Sequence, residues 1–141
     1  MYKFTKANLF NEHLVDIDMR KGFNVVEDEQ CIIFYLEPSI NGSKCEVMIG
    51  ISDAYDVDVM YTFARLSNMT KQDSIIRVLN ELNRTYKMKY TLSDNGNIQA
   101  TFEYLSTVDE FNSEILLNYV VARFKHIEED AYPKIMRTMW N

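Results

Sequence analysis

Cys45-Glu46-Val47-Met48-Ile49-Gly50-Ile51 sets an apolar residue at every second position, and Val57-Asp58-Val59-Met60-Tyr61-Thr62-Phe63-Ala64 repeats the pattern shortly afterwards. Successive side chains of an extended strand point to opposite faces, so Cys45, Val47, Ile49 and Ile51, then Val57, Val59, Tyr61 and Phe63, each line one side. Behind them the period lengthens. Ile75, Ile76, Leu79, Leu82 and Tyr86 make the apolar stripe of an α-helix, opened by Thr70 and Asp73 at capping-box spacing. A switch of period from two to 3.6 within one short chain predicts an α+β domain, a mostly antiparallel sheet with helices packed on it.

Working outward, Cys31-Ile32-Ile33-Phe34-Tyr35-Leu36 is a continuous β-branched and aromatic run, the pattern of a central strand covered on both faces, and Pro38 ends it. Asn41-Gly42 marks a tight turn into the Cys45 strand. That hairpin would set Cys45 opposite Leu36 and Cys31 opposite Gly50. Ahead of it, Thr5 to Lys21 reads as a helix stopped by Gly22, followed by a short strand from Phe23 to Val26. Downstream, Lys89 to Leu92 and Asn97 to Leu105 form a hairpin around Asp94-Asn95-Gly96, whose Asn-Gly suits a type I′ turn. Thr107 and Glu110 repeat the capping-box spacing and open a long helix with Leu116, Val120, Phe124, Ile127 and Ala131 on one face, which Pro133 interrupts or ends. The expected order is α-β-β-β(-β)-α-β-β-α in one domain spanning residues 1–141.

At 141 residues with 47% apolar content, four Gly and two Pro, the chain can build its own core without a disulfide or metal. A formal charge of −6 disfavours nucleic acid and anionic membrane, and the basic run Arg84, Lys87 and Lys89 is too small to reverse that. No apolar run has the length of a membrane span, and the opening Met1-Tyr2-Lys3-Phe4-Thr5-Lys6 lacks the apolar stretch of a signal peptide. Two cysteines in strands read as free, mostly buried thiols in a reducing, cytoplasmic compartment.

Chemistry is sparse. His13, His126, Cys31 and Cys45 stand apart along the chain, whereas a zinc site usually shows at least one close ligand pair, so no metal is expected. Asp53, Asp56 and Asp58 lack the glycine and terminal glutamate of a calcium loop and read as a solvated turn, as Glu128-Glu129-Asp130 reads as the wet side of a helix. There is no nucleophile elbow, no Walker loop and no dinucleotide fingerprint, so neither catalytic residues nor a cofactor are expected. The remaining unusual stretch is the C-terminal Met136, Met139 and Trp140, residue types that favour partner-binding surfaces or, equally, a closing of the core.

Ile75-Ile76-Arg77-Val78-Leu79-Asn80-Glu81-Leu82-Asn83, the hairpin through Asp94-Asn95-Gly96 and the capped last helix together resemble the YbjN family. That family is named for a proposed role in bacterial sensory transduction, and its fold is similar to type III secretion chaperones. The resemblance implies a cytoplasmic, non-enzymatic domain that binds protein and pairs with itself as a homodimer. Asn80 and Asn83 match the motif and are expected to tie the helix end to the hairpin. The competing expectation is a small acidic immunity protein that neutralises a basic toxin or nuclease.

Overall fold

A computed structural model of the chain describes residues 2–140. The two alternating stretches form β5 (Glu46–Ser52) and β6 (Asp56–Arg65), paired antiparallel with Ile49 opposite Val59 and Ile51 opposite Val57. Their predicted inward residues, including Cys45 just ahead of β5, are all buried. Around this pair the sheet grows to six antiparallel strands in the order β1-β2-β5-β6-β8-β7, with β1 Asn24–Glu27, β2 Cys31–Leu36, β7 Lys89–Leu92 and β8 Asn97–Leu105. The expected α+β architecture is the observed one.

The helices gather on one face of this sheet. α1 (Tyr2–Asp16) packs on β2 and β5, and α2 (Gln72–Thr85) packs on β7 and α4 (Tyr132–Trp140). Tyr61 of β6 donates its buried hydroxyl to the Val120 carbonyl of α3 (Ser113–His126) at 2.6 Å. Phe10, Phe23 and Phe34 meet edge to face with centroids 5.0–6.4 Å apart, tying α1 to the sheet. No helix among the described residues is long and apolar enough to cross a membrane.

Several local expectations change. α1 stops at Asp16, not at Gly22: Asp18 takes the left-handed conformation (φ 60°), and Met19 N–H bonds to Leu14 O while Asp18 N–H bonds to Val15 O. Gly22 instead closes a 3₁₀ turn, Arg20–Gly22. Asn41 and Gly42 do form the expected turn with φ of 49° and 85°, but it joins a separate small ribbon, β3 (Ser39–Ile40) with β4 (Ser43–Lys44). That ribbon displaces the pairing by two residues, so Leu36 faces Val47 and Cys31 faces Ser52. Cys45 lies outside the strand, its N–H held by Pro38 O at 2.8 Å.

Helix starts shift in the same way. Asn68, not the Thr70 to Asp73 pair, supplies the first cap, accepting from Thr70 N–H and from the Thr70 hydroxyl ahead of a 3₁₀ turn, Met69–Lys71. Thr107 does accept from Glu110 N–H, yet this closes only a turn, and α3 begins at Ser113 with Asn112 capping Ile115 N–H. In the β7–β8 loop only Gly96 has positive φ (89°), which marks a type I turn followed by a glycine bulge and not type I′. A Cβ there would also stand 3.2 Å from Leu66 O.

Pro133 does not end the last helix. A π turn, Ile127–Ala131, links α3 to α4, with Tyr132 N–H reaching back five residues to Ile127 O. Proline has no N–H to offer, and the widened turn just ahead of it lets the rod continue to Trp140.

Candidate functional site

The sheet has an uncovered side. β2 is not blanketed on both faces: Ile32 and Phe34 are buried, but Cys31, Ile33 and Tyr35 are only half-buried. The same holds across the row, because Met48 and Gly50 of β5, Met60 of β6 and Thr101 of β8 are half-buried, while Asp58 and Glu103 are exposed. None of these outward residues is fully buried. The register aligns Tyr35, Met48, Met60, Thr101 and Lys89 across five strands, and Ile33, Gly50, Asp58 and Glu103 in the next row.

A groove of about 1250 Å³ runs over this face and past the sheet edge at β8. Its floor is Ile33, Met48 and Met60; its far wall is the segment Asn83–Met88 that leads from α2 into β7. Asn83 fixes that segment by a two-way bond, its amide donating to Tyr90 O at 3.1 Å and its carbonyl accepting from Tyr90 N–H, as the sequence motif implied. Tyr86 is drawn the other way, donating its hydroxyl to Asp130 and lying against His126 with ring centroids 4.9 Å apart. The chain therefore leaves β8 before β7 begins, and the groove fills the gap.

Charge is divided across the groove. Arg84, Lys87 and Lys89, a solvated helix end in sequence terms, stand on one wall, joined by Arg123, whose guanidinium lies over Phe102 and Tyr119 at 5.4 and 5.8 Å. Arg123 Nε is buried without a hydrogen-bond partner. On the other side the ligand oxygens of Asp56, Asp58 and Glu103 lie within 4.8 Å of one another. Partial burial, then the charges of Asp56 and Glu103, raise the Asp58 carboxyl above its usual range.

The sequence grouping Asp53, Asp56, Asp58 thus comes apart. Asp53 turns to α1, where it accepts from Lys3 N–H at 2.9 Å, and Glu103 takes its place beside Asp58. Asp130 is occupied by Tyr86 and by Lys134 at 3.1 Å, and the Tyr86 bond holds its carboxyl below the usual range. Lys6 was not singled out by sequence, yet it is only 1% exposed and donates to Ala54 O at 2.6 Å; burial lowers its pKa against the pull of Asp56 and Asp53.

The thiols are free, as expected, but differ. Cys45 is fully buried and pushed up to about 12, chiefly by burial, whereas Cys31 is half-buried on the groove side, raised by burial and by Asp28. Met136, Met139 and Trp140 separate on α4: Met139 enters the core, Met136 is half-buried and Trp140 is 73% exposed beside a shallow cleft. His13 and His126 do not approach each other or a cysteine closely enough to share an ion.

No protein-family model matches this chain, and no curated protein matches it.

Proposed function

We propose that the chain is a non-enzymatic protein-binding module, chaperone-like or regulatory, of the YbjN kind and acting in a bacterial cytoplasm. The observation that carries this reading is the uncovered sheet face with its methionine-floored groove. Methionine side chains repack readily around different partners, and mixed charge at the rim selects among them. The chain exposes 8473 Å², against roughly 7600 Å² for a folded monomer of its mass. The excess is about what one partner contributes to a standard interface.

A photo-crosslinking residue at Met60, compared with the same residue at exposed Val121 on the helical side, tests this in cells of the native host. Protein adducts at Met60 and not at Val121 are expected. Equal or no capture at the two positions would remove the reading. Adducts between two copies would make the homodimer the partner, and capture from Trp140 alone would move the surface to α4.

The Asp56, Asp58 and Glu103 cluster favours a second reading, an acidic antagonist of a basic toxin or nuclease. It ranks lower because four cations share the same groove and because Asp53 and Asp130 are engaged elsewhere. A basic nuclease held by the wild type and released by Asp58→Lys would reverse that order.

A further inference from the structure

β8 runs from Asn97 to Leu105, but β7 pairs with it only from Ile98 to Thr101. Phe102 to Leu105 therefore have β6 on one side and no strand on the other. An open edge invites another strand unless it is short, charged, bulged or covered. Here Leu105 is 69% exposed, the covering segment has swung away with Tyr86, and the only charge on the edge is Glu103.

Charge decides what fits. In antiparallel pairing about a two-fold axis, residues that face each other share a side of the sheet. A second copy centred on Glu103 would set that glutamate against its own twin, beside both Asp58 side chains, and like charges directly opposite are destabilising. Centred on Tyr104 instead, it would leave Phe102 facing Ser106, which has turned back to bond Tyr55 O. A foreign strand with a cation opposite Glu103 would instead relieve three crowded carboxylates. Its neighbouring residues would point to the helical side, onto Phe102, Tyr104 and the exposed Tyr119 ring, beside the unpaired Arg123 Nε.

We propose that the open edge of β8 accepts an extended segment of a partner protein as an added strand, with lysine or arginine opposite Glu103 and apolar residues on either side of it. This rests on the protein-binding reading and specifies its partner. Main-chain bonds along the edge supply affinity, and the alternating side chains supply selection.

Decapeptides of alternating valine and threonine, identical but for a central lysine or glutamate, test the idea, with a third in which the lysine peptide is N-methylated on its edge-facing amides. Binding is followed by amide NMR and hydrogen exchange on isotope-labelled full-length protein. The lysine peptide should bind roughly ten-fold more tightly than the glutamate one and slow exchange at the edge amides of Phe102 to Leu105. N-methylation should abolish binding, and Glu103→Lys should reverse the preference. Equal binding of the two peptides, indifference to N-methylation, or no binding at millimolar peptide would overturn the proposal. Shifts confined to Met48 and Met60 would also overturn strand addition, while leaving the protein-binding reading to stand on its crosslinking result.

Discussion

The two faces of one sheet carry almost the same residue types and do different things. On the helical side Val47, Ile49, Val59 and Phe34 are sealed; on the other side Ile33, Tyr35, Met48 and Met60 are nearly as apolar and stay half in water. Hydrophobicity alone did not decide which face closed. What differs is the supply of matching stripes: α1, α2 and the α3–α4 rod provide enough apolar surface for one face, and nothing in the chain remains to cover the second.

The sharpest way to break this contrast is to remove atoms from each face. Phe34→Ala, on the helical side, should cost about 3–5 kcal/mol in urea unfolding, because Phe10 and Phe23 cannot both collapse into the cavity, and Leu79→Ala about 2–5 kcal/mol. Phe124, only half-buried, should cost less than Leu79 when cut to Ala. If Met60→Ala cost as much as Phe34→Ala, the open face would have to be closed by something in solution.

Next in size is the tie that pulls the Tyr86 segment off β8. Tyr86→Phe should destabilise by about 1 kcal/mol at neutral pH, through the lost bond to a half-exposed carboxylate. Asp130 has its folded pKa depressed, so this contribution is present above the usual carboxylate range and lost as pH falls through the folded value. The gap between wild type and variant should close in acid. A gap that persists there would assign the effect to packing on His126.

Met60→Ala should cost less than about 1 kcal/mol, and Trp140→Ala, on an exposed ring, no more than about 0.5 kcal/mol by the same measurement. Unfolding by Trp140→Ala would place the tail in the core after all. The smallest effect is at Asp58, whose folded pKa is raised. There the native state holds the extra proton, and stability declines as pH rises from the usual aspartate value through the folded one. Asp58→Asn should remove that decline and leave a slightly more stable protein at neutral pH, as thermal melts across pH would show.

The sheet and both strong helices were legible because their inward residues are strongly apolar and strictly periodic. β2 was misread for a physical reason: a continuous apolar run is the same string whether its second face is packed or waiting. Cap positions slipped because Thr70 and Thr107 do make local bonds, while Asn68 and Asn112, close by, hold the geometry that counts. Of the groove, sequence saw the basic run and Asp58 but not Glu103 or Arg123, which reach them only through the β6–β8 pairing and the packing of α3. Asn83 could be read in advance because its bond to Tyr90 is short in sequence.

The π turn at Ile127–Ala131 has a consequence for insertions and deletions. A π turn is in effect an α-helix carrying one extra residue, and each residue turns an α-helix by about 100°. Deleting Glu129 would let the rod close as plain α-helix and move every later residue one place back. Trp140 would then occupy the inward position of Met139, and Met136 that of Ile135. A single codon thus separates a chain that shows its one tryptophan to solvent from one that must bury it.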